Sequence, residues 1–174
     1  GSNSSANWSA DGRRIAFASS RDDHLSSQDG VYQLPNKEIY TMDVDGQNLT
    51  RLTYNDVDDW GVVWSPDGRQ LAFISSCDHR FLGHSDIYIM NTDGSNLINL
   101  TNTCEYNVLP SWSSDGIHLG FSTVNEDIFV GNTLTGEVVN LTNDGDSVAD
   151  RTPVFSPDGR RIAFESSRTG CFDI

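Results

Sequence analysis

Four copies of one hairpin organise this chain. "WSADGRRIAF" (Trp8–Phe17), "WSPDGRQLAF" (Trp64–Phe73), "WSSDGIHLGF" (Trp112–Phe121) and "FSPDGRRIAF" (Phe155–Phe164) each read as strand, tight turn, strand. In the "SPDG" turn, Pro supplies the fixed φ of position i+1, Asp favours i+2 and Gly takes a positive φ. The second strand, "QLAFISS" or "RIAFESS", is apolar on successive rather than alternate residues, the pattern of a strand covered on both faces. One hairpin cannot cover both of its own apolar faces, so the sequence requires that the copies stack.

A second pair of strands follows each hairpin: "EIYTMDVDGQNLTRLT" (Glu38–Thr53), "DIYIMNTDGSNLINLT" (Asp86–Thr101) and "DIFVGNTLTGEVVNLT" (Asp127–Thr142). The anchors Trp8, Trp64, Trp112 and Phe155 are spaced 56, 48 and 43 residues apart. A period of about 40–50 residues with four strands per unit, here A to D, is the signature of a propeller blade. No helical periodicity of useful length appears, so the fold class is all-β: blades of four antiparallel strands. The expected units are 3–54, 55–103, 104–143 and 144–174 within one propeller domain, residues 1–2 reading as a tag remnant. After the fourth hairpin the chain reaches "FDI" (Phe172–Ile174), so the fourth unit is expected to hold strands A and B and the start of C. Bare faces on the first and last units predict self-association through the terminal blades.

The unit "WSPDGRQLAF…DIYIMNTDGSNLINLT" resembles the repeat of TolB-like β-propellers. That family repeats a Trp-Ser-Pro-Asp-Gly hairpin, an Asp-Ile-Tyr-Val-Met strand and a closing Leu-Thr. An Asp often stands five residues before the Trp, and a Pro two before it. Asp59, Asn107 and Asp150 fill the first position here, and Pro110 and Pro153 the second, while Val62 departs from the Pro. The resemblance implies a six-bladed propeller, of which this chain would supply about three and a half to four blades. It also implies a bacterial protein in a periplasmic or extracellular setting. Two functional classes come with it. One is a non-catalytic binding module. The other is the propeller portion of a larger enzyme: a peptidase of the prolyl oligopeptidase type, or a carbohydrate-active lyase or hydrolase with its site at the channel mouth. Relatives of the peptidase type carry their catalytic triad on a separate hydrolase domain, and this chain contains none.

The ends of the blades differ. The A–B and C–D turns share one end and are short and alike. The B–C and D–A connections share the other end and vary: the B–C loop runs from Ser20 to about Lys37 in the first repeat, from Cys77 to Ser85 in the second, and over Val124–Glu126 in the third. Variation gathered at one end of a repeat array marks the binding face. The candidate residues there are Asp22, Asp23, His24, Asp58, Asp59, Trp60, His79, Arg80, His84, Glu105, Tyr106, Asp150 and Arg151. Asp59, Asn107 and Asp150 precede strand A, nearest the channel. There a polar side chain ties down the incoming loop by accepting backbone N–H groups, or lines the channel mouth and touches a ligand.

The chemistry available is limited. His and carboxylates at the loop end would suit a divalent metal, yet no HxH or HxxxH spacing is present. "DVDG" (Asp43–Gly46) and "NTDG" (Asn91–Gly94) resemble the start of a calcium loop but lack its twelfth-position Glu. No bound cofactor is therefore predicted, a divalent cation such as calcium being the one candidate. No GxSxG nucleophile motif occurs. The "NLT" sequons at Asn48, Asn99 and Asn140 arise from the repeat itself. Eleven Lys and Arg against 25 Asp and Glu give a net charge of −14. That charge repels nucleic acid and attracts basic proteins, cationic ligands or metals. No apolar run approaches the roughly 20 residues of a membrane span. Cys77, Cys104 and Cys171 allow one disulfide with a free thiol, or three thiols. The reading is of a binding module whose partner is a protein or peptide.

Overall fold

Each repeated turn closes on its own serine and aspartate. Ser9 Oγ donates to Asp11 Oδ1 at 2.7 Å, the Arg13 N–H donates to the same oxygen, and the Arg14 N–H donates to Ser9 Oγ at 2.9 Å. The same three bonds recur at Ser65/Asp67, Ser113/Asp115 and Ser156/Asp158. The hydroxyl first, then the backbone N–H, hold all four carboxyls below the usual aspartate range. The glycines Gly12, Gly68, Gly116 and Gly159 have φ of 68, 69, 71 and 69°, the left-handed conformation the turn requires.

The structure is a computed structural model that describes residues 2–22, 27–28, 31–32, 36–77, 84–123, 126–143 and 148–174. In chain order the strands are β1 (Asn3–Trp8), β2 (Arg14–Ser19), β3 (Ser27–Gln28), β4 (Val31–Tyr32), β5 (Glu38–Asp43), β6 (Thr50–Arg51), β7 (Asp59–Trp64) and β8 (Gln70–Ser76). They continue as β9 (Ser85–Asn91), β10 (Ile98–Asn99), β11 (Asn107–Trp112), β12 (His118–Thr123), β13 (Ile128–Asn132), β14 (Val138–Asn140), β15 (Asp150–Phe155) and β16 (Ile162–Ser166). Three four-stranded antiparallel sheets follow the orders β1-β2-β5-β6, β7-β8-β9-β10 and β11-β12-β13-β14. A fourth holds β15 and β16, with a single bridge from Ser166 to Asp173 where a third strand begins. Each four-stranded sheet is one blade, A to D, and the fourth sheet holds strands A and B of the next. The hairpin β3–β4 is an addition inside the first B–C loop. Among the described residues no helix is long and apolar enough to cross a membrane.

The hydrophobic cores lie between blades, as strands covered on both faces demand. Ala16, Ala18 and Ile39 of blade 1 pack against Val62, Trp64, Leu71 and Phe73 of blade 2. Ala72, Ile87 and Ile89 of blade 2 pack against Leu119 and Phe121 of blade 3. Gly131 stands where the first two repeats have Met42 and Met90. A Cβ there would come within 2.8 Å of Leu100 Cδ2.

Two polar ties recur at the seams, the first at two of the three. The Trp64 indole N–H donates to the Asn7 carbonyl at 3.1 Å, and that of Trp112 to the Val63 carbonyl at 3.4 Å. Each reaches the residue just before the anchor aromatic of the preceding blade. Trp64 is buried, whereas Trp112 is half-buried and Trp8 is 57% exposed. The second tie joins the start of strand A to a residue at or just before the start of strand C of the preceding blade. The Asp59 N–H donates to the Lys37 carbonyl, the Asn107 N–H to Ser85 Oγ, and the Asp150 N–H to the Glu126 carbonyl.

The closing "LT" has its own reason. Thr53, Thr101 and Thr142 offer hydroxyls to the N–H groups of Ile39, Ile87 and Ile128 at the start of strand C, at 2.9, 3.1 and 2.9 Å. The preceding leucines donate to the carbonyls of the same three isoleucines. A side-chain hydroxyl thus continues the ladder where strand D turns away.

Candidate functional site

The loop end is built on polar groups buried at the bases of the blades. Asp59, Asn107 and Asp150, each five residues before its anchor aromatic, are 0, 1 and 0% exposed. Asn3 occupies the same place in the first blade. Each faces a hydroxyl across the A–B pair: Asn3 and Ser19, Asp59 and Ser75, Asn107 and Thr123, Asp150 and Ser166. They do hold loops down, but not by accepting backbone N–H groups. Asp59 Oδ2 accepts from Asn55 Nδ2 at 2.9 Å. Asn107 Nδ2 donates to the carbonyls of Ser85 and Glu105. Asp150 Oδ2 accepts from Arg168 at 2.8 Å.

The candidate residues gather in separate sets, one per blade or seam. In blade 1, the Tyr40 hydroxyl donates to Asp22 Oδ2 at 2.9 Å. Burial, then that bond, pushes the phenol up to about 12. At the seam with blade 2, buried Glu38 accepts from Arg51 at 3.0 Å, from Asn36 Nδ2 and from the Asn55 N–H. Exposed Asp58 accepts the Lys37 N–H beside them. Trp60 is half-buried and packs on the blade 1–2 core. At the seam with blade 3, His84 Nδ1 lies 2.8 Å from the Cys104 carbonyl, which can only accept, so the ring carries its proton there. Glu105 and Tyr106 beside it are exposed. At the last seam Arg151 pairs with Glu126 and stacks 4.7 Å from the Phe172 ring. Asp23, His24, His79 and Arg80 lie outside the described residues.

A model of the TolB beta propeller domain matches residues 1–170. The chain belongs to the TolB β-propeller family. Among solved structures it is similar to TolB from Acinetobacter baumannii, at 22% identity and a TM-score of 0.67 over 94% of this chain and 37% of that one. An oligogalacturonate lyase in complex with manganese is 15% identical, with a TM-score of 0.66 over 97% of this chain and 51% of the lyase. A chain of a nidogen/laminin complex is 15% identical, with a TM-score of 0.68 over 99% of this chain and 58% of that one. These likenesses are of fold. The chain spans about two fifths to three fifths of the length of these structures. No curated protein matches it.

The TolB-type repeat also explains a cluster that spacing did not reveal. Cys77 and Cys104 form a disulfide, Cα to Cα 5.8 Å, joining the B–C loop of blade 2 to its D–A loop. Cys171 is free and exposed. Asp86 lies beside both sulfurs, a grouping of three metal-ligand types. With the sulfurs joined, no thiolate is offered. Asp86 is also engaged: Oδ1 accepts from Thr101 Oγ1 and the N–H groups of Thr103 and Cys104, and Oδ2 from Asn99 Nδ2. Asn140 and Thr142 serve Asp127 alike. The "D…NLT" pattern is therefore a brace between strands C and D.

Between blades 1 and 2, next to this brace, runs a groove of about 520 Å³. It is lined by Tyr54, Asn55 and Val57 on one side and by Phe73, Ser75, Asp86 and Tyr88 on the other. The sequence signal for it is positional: the column four residues after each hairpin's closing Phe reads Arg21, Cys77, Asn125, Arg168.

Proposed function

We propose that this TolB-type propeller is a non-catalytic binding module that presents its B–C and D–A loops to a protein or peptide partner bearing positive charge. The observation that carries this reading is the division of labour at the loop end. The buried carboxylates Glu38, Asp59, Asp86 and Asp150 are engaged in bracing strands and loops. Asp58, Glu105 and Tyr106 remain exposed on loops of unequal length, on a chain of net charge −14. Such a surface steers cationic partners and adds an aromatic contact.

An array of basic, neutral and acidic peptides probed with the purified chain tests it. Basic peptides should bind, the more weakly as salt rises. The double variant Asp58→Lys, Glu105→Lys should weaken binding at least ten-fold while the chain still unfolds cooperatively. Absence of binding to any basic peptide, or indifference to that variant, would overturn the reading.

A further inference from the structure

Two blades fill with their own arginine a place that, among the described residues, a third leaves open. In blade 1 the Arg21 guanidinium lies 4.7 Å from the Phe17 ring and 5.1 Å from the Tyr40 ring. It donates from Nε to Ser19 Oγ at 3.0 Å and reaches Asn3 Oδ1 at 3.4 Å. In blade 4 the Arg168 guanidinium lies 5.4 Å from the Phe164 ring and donates to Asp150 Oδ2 at 2.8 Å. Both cations come from the same column, rest on the aromatic of strand B and donate to the residue that opens strand A.

Among the described residues, blade 2 keeps every receiving group and places no cation on them. Phe73 and Tyr88 stack with ring centroids 5.8 Å apart, as Phe17 and Tyr40 do in blade 1. Ser75 stands where Ser19 does, and Asp59 where Asn3 and Asp150 do. The position of the arginine is Cys77, held by its disulfide to Cys104. Phe73, Ser75 and Cys77 alternate along the strand and share a face. Asp59 pairs with Ser75 across the sheet, so it belongs to that face too. The 520 Å³ groove opens there, lined by Phe73, Ser75, Cys77, Asp86 and Tyr88. Asp59 lies behind Ser75 rather than in this lining and is fully buried; its Oδ1 has no hydrogen-bond partner of good geometry, although the Ser75 and Thr53 hydroxyls are near enough to favour its charge.

We propose that the groove between blades 1 and 2 receives the guanidinium of an arginine from a partner peptide, in the place that Arg21 and Arg168 fill from within their own blades. The inference rests on the binding-module reading and narrows its partner to an arginine-bearing segment. A planar guanidinium stacks on a ring while donating sideways to a hydroxyl and a carboxylate. A lysine ammonium is a compact, strongly hydrated point charge and satisfies one demand at a time.

The test is amide NMR of the ¹⁵N-labelled chain titrated with acetyl-Gly-Arg-Gly-amide, its citrulline counterpart and its lysine counterpart. The arginine peptide should shift the amides of Phe73, Ser75, Ser76 and Tyr88 saturably. Citrulline should bind at least ten-fold more weakly, and lysine several-fold more weakly. The double variant C77R/C104A places an arginine in the column and should abolish those shifts, while C77A/C104A keeps them. Equal response to arginine and citrulline, or equal binding by the two double variants, would overturn the proposal. Shifts confined to Asp58, Glu105 and Tyr106 would overturn it and leave the binding-module reading standing. No shift with any peptide, here or on the array, would sink both. Should the double variants fail to fold, the arginine-against-citrulline comparison at the groove amides decides alone.

Discussion

Asp59 is a carboxylate in a place that suits an amide. Burial pushes its carboxyl up from the ordinary 3.8 to about 6, against the Ser75, Thr53 and Asn55 groups that favour the charge, and nearby Glu38 adds to the rise. A folded value above the unfolded one means the native state holds the proton more tightly. Stability from this group is therefore full below about pH 4 and is lost as pH rises through 6. The same column holds Asn3 and Asn107 in other blades, so an amide fits. Asp59→Asn should stabilise the chain by about 1–3 kcal/mol at pH 7.5, the upper bound being two pKa units, and by little at pH 4. Urea unfolding of both proteins at the two pH values checks this, and no gain at pH 7.5 would show the ionised carboxylate to be well paired. Much at this scale was legible. The column five before the anchor pointed to Asp59, Asn107 and Asp150, and the same count applied to Trp8 reaches Asn3. The disulfide was not legible, because three cysteines at unrelated spacings carry no information about which two the folded loops bring together. The open place at Cys77 is visible only when one column is compared across all four repeats and then set against the groove.

At the scale of the strand, the order A to D and the seam packing follow from apolar residues on successive positions, and blades 1 to 3 show them. The D strands are shorter than the motif suggests, two residues in β6 and β10, because the Thr hydroxyl takes over the ladder. Thr101→Val should therefore cost about 1–3 kcal/mol, by leaving the buried Ile87 N–H unpartnered and removing a donor from Asp86. Thr101→Ser should recover most of it, and equal denaturation midpoints for Val and Ser would refute the brace. The anchors separate similarly. Trp64→Ala should cost about 3–5 kcal/mol and Trp64→Phe about 1 kcal/mol for the lost bond to Asn7. The repeat pattern predicts equal burial for Trp64 and Trp112, but Trp112 is half-buried, so Trp112→Ala should cost less than Trp64→Ala. The hairpin β3–β4 had no signal at all: it interrupts a loop without matching any repeat position.

At the scale of the molecule, we propose that this 174-residue chain, studied alone, associates through its outer blade faces. Trp64 is 6% exposed because blade 1 covers it, while the equivalent Trp8 is 57% exposed. On the opposite face Val154 is also 57% exposed. Ala163 of β16 is exposed, where its counterpart Ala72 is fully buried against the next blade. Apolar surface left in water costs roughly 25 cal/mol per Å², and another blade-like face would cover it. The existing seams give the register: each anchor indole donates to the carbonyl before the preceding anchor, so Trp8 of one copy would meet Val154 of another. Such a contact would be heterologous, and two chains joined head to tail through it would close a ring of eight units. The isolated chain should therefore be a dimer or larger at micromolar concentration by size exclusion with light scattering, and Trp8→Ser should shift it toward 19.2 kDa. Wild-type chain that stays at that mass while unfolding in one cooperative transition would show that the exposed faces are tolerated in water, and that the curved stack of blades is stable without a partner copy.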